Sequence, residues 1–440
     1  MTPRPLRPPR LWRHRDFLLL WGGQSVSELG SAVTLVALPL VAVVILDASP
    51  LQVGLLSAAA TVPFLLIALP AGLIVDRIAK RPLMIACDIG RMLIIGSVPA
   101  AAAFAALTLA QLFAVAFLAG VLTVFFDIAY QSYVPGLIGR SELADGNGKL
   151  AATQSFAQVA GPGLGGALYA VLRAGAMTAD AVSYAASSAA MLAIRAREPR
   201  RVRRPAGQDA PSLRTELLAG LVFIARHPIL RKIAACTATA NLFTAMTAAL
   251  EVLFMIRTLH VRPEFTGVLL AAGSLGGVVG GVVNGVLTQW IGSARIIWVS
   301  VLGFAVIGLA LPLAEPGWRL ALIPVGLFGL TFSVVLYNVA QLSFRQAICP
   351  AELLGRLNAA IRWIVWGTLP LGGVIGGALG SAAGIRTTLW IGAAGAWLSG
   401  LWVLFSPLRA MRDVPAVDYA ADDRGPGETP PPAPGLLEAT

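Results

Sequence analysis

From Ala48 to Val75 the chain carries no charged residue, and within the next six positions it places Asp76, Arg77, Lys80 and Arg81. Uncharged apolar runs of this length recur along the whole sequence. Each is near the roughly 20 residues that a helix needs to cross a bilayer. Of the 440 residues, 57% are hydrophobic and 12% charged, whereas an ordinary soluble domain is about 25% charged. A surface made from this chain cannot mostly face water. Strands are excluded, because an open sheet cannot satisfy its backbone in lipid and the period-two segments of a barrel are absent. The first apolar stretch, from Phe17, runs longer than the apolar core of a signal peptide and lacks a clear cleavage site. The chain therefore reads as an all-α, polytopic membrane protein.

Spans are expected at about 17–46, 51–75, 82–106, 111–134, 150–171, 177–194, 230–256, 264–290, 295–314, 318–344, 357–380 and 385–406. Net charge is +11, and in a membrane protein such an excess belongs to the cytoplasmic loops rather than to a nucleic-acid partner. With the N-terminus inside, about 25 of the 33 Lys and Arg fall on the inner side. The 195–214 segment alone holds seven arginines. Both termini are thus expected in the cytoplasm of a bacterial cell, with the protein in its inner membrane. The expected divisions are a basic tail (1–16), a six-helix bundle (17–194), a cytoplasmic loop (195–229), a second six-helix bundle (230–406) and an unstructured tail (407–440). Cys87, Cys236 and Cys349 lie far apart in or near apolar runs, which makes neither a disulfide framework nor a metal cluster.

The two halves match at a nearly constant shift. At 213, Gly54 falls on Gly267, Gly72 on Gly285, and Gln24, Glu28, Ser31 and Thr34 on Thr237, Asn241, Thr244 and Thr247. At 210, Gln131 falls on Gln341, and at 211 the GGAL of 165–168 falls on the GGAL of 376–379. Parallel six-span halves with sites near the midplane are a transporter architecture.

Intramembrane carboxylates are costly and so point to function. Gln24, Ser27, Glu28, Ser31 and Thr34 share one helical face, and Thr123, Asp127, Tyr130 and Gln131 form a second polar stripe. Neither Glu28 nor Asp127 has an evident local partner in sequence, whereas Asp88 and Arg91, one turn apart, are placed to neutralise each other. The candidate pathway for substrate and proton comprises Glu28, Asp127, Gln24, Ser31, Asn241, Asn338 and Gln341.

Gly72-x-x-x-Asp76-Arg77-x-x-Lys80-Arg81 resembles the loop signature between helices 2 and 3 of the major facilitator superfamily, with Ala79 where that pattern has glycine. The resemblance implies a gating loop: the aspartate docks near the start of helix 11, and the basic residues hold neighbouring helix ends. Stretches such as "FLLLWGGQSVSELG" and "FFDIAYQSYVP" resemble the exporter branch that includes enterobactin and macrolide efflux proteins. Gly161-Pro162-Gly163-Leu164-Gly165-Gly166 is similar to the helix-5 antiporter signature of superfamily exporters, with Ala157 departing from it. It also satisfies G-x-G-x-x-G, but no strand precedes it, so dinucleotide binding is rejected. The arginine signature expected in helix 4 of drug–proton antiporters is absent.

The resemblance implies a secondary active transporter, not an enzyme, that exports an amphipathic drug, siderophore or metabolite by proton antiport. It implies no cofactor, no bound metal and a monomer in the lipid bilayer. Import by the same fold is the rival reading, and a receptor or channel lies outside the class. A primary pump is disfavoured because "GNGKL" at 146–150 lacks the glycine that a Walker A loop requires.

Overall fold

The computed structural model describes residues 11, 14–75, 77–138, 142–196, 221–349 and 351–413. Helices α1 (Arg15–Leu40), α2 (Pro50–Val75), α3 (Lys80–Ala103), α4 (Leu109–Ile138), α5 (Leu143–Leu172) and α6 (Met177–Ala193) form one half. The other half holds α7 (Pro228–Leu253), α8 (Pro263–Ile291), α9 (Arg295–Val299, continued in π and 3-10 turns to Leu313), α10 (Leu322–Ile348), α11 (Ala351–Ala382) and α12 (Ile385–Leu398). No strand occurs among the described residues.

Ten of these segments are long and apolar enough to cross a membrane. The two that fall short of that measure, α5 and α6, carry polar residues into the bundle. Helix α6 is 17 residues long and buries Asp180, Ser183, Ser187 and Ser188 against its neighbours. Several helices outrun the apolar content that marks them in sequence. Helix α4 continues to Ile138, α5 begins at Leu143 and α11 begins at Ala351, because their polar turns keep the helical hydrogen bonds beyond the hydrocarbon layer.

Successive helices alternate in direction, so the turns divide between two ends. The terminal end carries residue 14 and residues 407–413; the distal end carries the turns after α1, α3, α5, α7, α9 and α11. The repeat is visible there in the backbone. Positive φ occurs at Asp47 and His260, at Ala105 and Gly317, and at Arg173 and Gly384, each pair related by the shift seen in the sequence. A left-handed residue closes a helix at C′, so both halves end their odd-numbered helices alike.

At the terminal end the segment 407–440, expected to be unstructured throughout, is held at its start. Pro407–Ala410 forms a 3-10 turn, and Asp413 Oδ1 accepts from Ser293 N (2.9 Å) and Ser293 Oγ (3.2 Å). The Arg412 carbonyl accepts from Ala294 N (3.0 Å) and Arg295 N (3.3 Å). These acceptors satisfy amides at the start of α9 that a helix leaves without intrahelical partners. Residues 221–226, within the expected inter-bundle loop, are helical. Asp76, the rest of the 197–220 segment and residues 414–440 lie outside the described residues.

Candidate transport pathway

The halves meet along two helix crossings, α2 with α11 and α5 with α8, and glycines set how closely they approach. A Cβ on Gly54 would collide with the Gly373 carbonyl and lie 2.6 Å from Gly377 Cα. A Cβ on Gly166 would lie 2.8 Å from Gly267 Cα, and one on Gly267 would collide with the Pro162 carbonyl. The two crossings are images of each other under the repeat, since Gly54 matches Gly267 and Gly166 matches Gly377. Both lie in the distal halves of their helices. Across the same end Leu51 N donates to Ser381 Oγ (3.0 Å) and Arg257 pairs with Asp47. Nearer mid-helix, Phe64 stacks on Trp366 at 4.1 Å between centroids. The distal end is thus closed by backbone-to-backbone packing, the geometry that small residues permit in lipid.

The helix-5 motif belongs to this seam. A Cβ on Gly161 would meet Ala32 of α1, one on Gly165 would lie 3.0 Å from the Val33 carbonyl oxygen, and Gly166 faces α8. The motif therefore wedges α5 between its own half and the other one.

In the last turns of α2, Gly72 has open space where its Cβ would be. Arg77 is exposed. Lys80 Nζ donates to the Ser132 carbonyl of α4 (3.4 Å). Arg81 reaches the end of α6, where Nε donates to the Met191 carbonyl and Nη2 to the Leu192 carbonyl, both at 2.9 Å. A guanidinium there meets orphan carbonyls and the negative end of the helix dipole.

Inside the first half a polar cluster joins α1, α3, α4 and α6. Asp88 and Arg91 form a buried ion pair. The Arg91 guanidinium is sandwiched between Phe126 and Tyr184, 4.3 Å from each ring centroid. Removing two charges from water costs several kcal/mol per ion, and here the ion pair and two aromatic faces offset it. Tyr184 Oη is 2.8 Å from Ser31 Oγ. Glu28, which has no evident partner in sequence, has one in the fold: Gln24 Nε2 donates to its Oε1 at 3.1 Å. The i, i+4 spacing of the stripe makes this bond within α1 itself. Asp127 is half-buried on α4, within electrostatic reach of Arg91.

The candidates of the second half are less gathered. Gln341 is buried near Arg345 with its Oε1 unbonded, Asn241 is half-buried and Asn338 is exposed. Thr237 Oγ1 and Tyr337 Oη lie 2.7 Å apart, and Thr237 is the repeat match of Gln24 in the first half.

One acidic residue was not singled out by the sequence reading. Asp180 of α6 is 1% exposed. With Ser183, Tyr184 and Ser187 it makes an i, i+3, i+4, i+7 stripe, a pattern that could have marked it. A cavity of about 400 Å³ opens beside it, walled by α1, α2, α4 and α6, with Ala248 and Ala249 of α7 closing one side.

Two parallel six-helix halves, sealed at one end around buried polar groups, are the architecture of a membrane transporter. The family model for transmembrane secretion effectors matches residues 8–426, and the chain belongs to that family of the major facilitator superfamily. It is 27% identical over 394 residues to the multidrug efflux pump Tap of Mycolicibacterium fortuitum, covering 86% of this chain and 92% of that protein. It is 24% identical over 405 residues to the uncharacterized MFS-type transporter YfiS of Bacillus subtilis (strain 168), covering 89% and 91%. Among solved structures, the fold matches a mutant form of the nucleoside transporter NupG with a TM-score of 0.72 at 12% identity, over 88% of this chain and 99% of that one. It also matches a bacterial homologue of the iron transporter ferroportin in its inward-facing state, TM-score 0.68 at 16% identity, over 90% and 98%. The protein is a multi-pass membrane transporter and not an enzyme.

Proposed function

We propose that this protein exports amphipathic small molecules from a bacterial cell by alternating access, exchanging substrate for protons across the inner membrane. The observation that carries the reading is the distal seam. Two repeat-related glycine crossings close one end of the pathway, as one access state of a two-half transporter requires. With both termini in the cytoplasm, as the arginine distribution favours, the sealed end faces outward. The likeness to the Tap efflux pump supports export of drugs. Glu28 and Asp127, on the helices that line the first half, are the proposed proton carriers.

Everted membrane vesicles test this directly. A panel of drugs and siderophores is offered with and without an imposed proton gradient; gradient-driven uptake into the everted vesicles supports export, and uptake only into right-side-out vesicles refutes it. Glu28→Gln and Asp127→Asn are compared for driven uptake and for substrate counterflow. Loss of driven uptake with counterflow retained marks a coupling residue, and full driven uptake in the double variant removes both. Asn147 is exposed on the first turns of α5, so a cysteine there labels only from the cytoplasm if the orientation is right.

A further inference from the structure

Asp180 has the least compensated charge of the buried cluster. Its nearest cation is Arg91 on α3, and that guanidinium is already paired with Asp88. Helix α1 brings Gly30, Ser31 and Thr34 against Asp180 and no charge. Its own helix adds Ser183, whose Oγ lies 3.3 Å from Asp180 Oδ1, and the Tyr184 hydroxyl, which is engaged with Ser31. Asp180 Oδ2 and Thr34 Oγ1 are both buried and make no well-formed hydrogen bond, although the Thr34 and Ser31 hydroxyls face the carboxylate. Both residues line the 400 Å³ cavity, whose other walls are mostly alanines and apolar side chains such as Leu56, Phe64 and Val115, with the hydroxyls of Ser57, Thr61 and Thr123 among them. Asp180 is the charged residue of that lining. A buried carboxylate with an unmet acceptor is costly unless something positive meets it. A mostly apolar cavity with one such group selects by both shape and charge.

We propose that Asp180 is the counter-ion of a binding site for monocationic amphipathic molecules, with the charged group of the ligand at Asp180 and Thr34 and its apolar body against α2 and α4. The proposal rests on the export reading for its physiological meaning and narrows that reading to organic cations. Protonation of Asp180 removes the anion that holds the ligand, so a proton and the cation compete for one carboxylate.

Equilibrium dialysis of purified protein against tetraphenylphosphonium and its anionic isostere tetraphenylborate tests the site without requiring transport. Tetraphenylphosphonium is expected to bind the native protein at least tenfold more tightly than tetraphenylborate, about 1.4 kcal/mol. Asp180→Asn is expected to lose at least tenfold in phosphonium affinity. Native affinity is expected to fall as pH is lowered, and the Asn variant is expected to lose that dependence. Equal binding of the two isosteres, or phosphonium binding by Asp180→Asn within twofold of native, overturns the proposal. If Asp180→Asn does not fold, Ala119→Phe, which fills the cavity from α4 away from the carboxylate, takes its place. Loss of phosphonium binding there supports the site, and native-like binding overturns it. Failure of the site leaves gradient-driven efflux in vesicles standing, whereas phosphonium binding without driven efflux sinks the export reading and leaves the site standing.

Discussion

Substituting Gly54 by alanine puts a methyl group where the distal seam leaves no room. The new Cβ would lie 2.6 Å from Gly377 Cα and 2.8 Å from Gly377 N, and would collide with the Gly373 carbonyl. All three are backbone atoms of α11, so no side chain can swing aside and the helices must separate. Overpacking of this kind costs about 1–3 kcal/mol. In a state with the distal end open, α2 and α11 are parted and the methyl group meets nothing, so the whole cost falls on the sealed state. The equilibrium between access states should then shift by roughly 5- to 150-fold toward distal opening. Spin labels at exposed Thr108 and Pro316, on the distal turns of opposite halves, read this as a longer distance by pulsed electron resonance. Gly166→Ala, on the repeat-related crossing of α5 with α8, should do the same. Gly285→Ala, where a Cβ meets nothing within 4 Å, should leave the distances unchanged. Native distance distributions in both Gly54→Ala and Gly166→Ala would refute the claim that these crossings hold the seal.

Asp47→Arg should favour distal opening, and Asp47→Arg with Arg257→Asp should restore the native distances. The effect should be small, about 0.2–1 kcal/mol, because the Asp47 side chain is 93% exposed, and a change larger than that of Gly54→Ala contradicts the ranking. His227, ahead of the first turn of α7, accepts from Ile229 N and Leu230 N through Nδ1 at 3.3 Å each. Partial burial holds its pKa below the usual histidine value. The neutral ring is the form that caps, so its contribution is present above about pH 6.5 and fades as pH falls below that value. Amide exchange at 229–232 should accelerate between pH 7 and 5 beyond the intrinsic rate change, and His227→Asn should cap the helix without that dependence.

The helical spans and the two-half plan are legible because lipid leaves a polar backbone few options, and apolar runs announce themselves. The repeat shift is equally legible, and it places Gly54 opposite Gly267 before any coordinates. What the repeat does not reveal is which helix each glycine faces; Gly54 meets α11 and Gly267 meets α5, a fact of the packing between halves. The Asp88–Arg91 pair follows from helical spacing alone. Glu28 shows the opposite case, since Gln24 lies one turn before it on the same stripe, yet only the fold fixes a side-chain bond between them. Asp180 escaped because its helix is short and rich in serine, so its apolar signal is weak and its carboxylate looks like a helix-start residue. Only the packing of α6 on α1 makes it a buried group beside a cavity. The start of the tail was misjudged for a related reason: composition reads proline and glycine as loose, while Asp413 is held by two donors on Ser293 that lie 120 residues away.

The π turns that end α1 and α7, Val41–Ile45 and Phe254–Thr258, bear on the ancestry of the molecule. Each accommodates an extra residue in the helix, which turns everything after it by about 100°. Both are followed by the same long backbone bond, Ala48 N to the Ala42 carbonyl (2.9 Å) and Val261 N to the Met255 carbonyl (2.8 Å). Two independent insertions at matched positions with matched bonding are a far less economical history than one insertion in an ancestral six-helix half that was afterwards duplicated. The glycine crossings, being shared, belong to that same early layer. Glu28 against Asn241, and Asp180 against a second half with no acid at the matching place in α12, belong to a later one. A gene tree of separated halves should therefore place the π insertion at its root and the acidic residues on the branch leading to the first half.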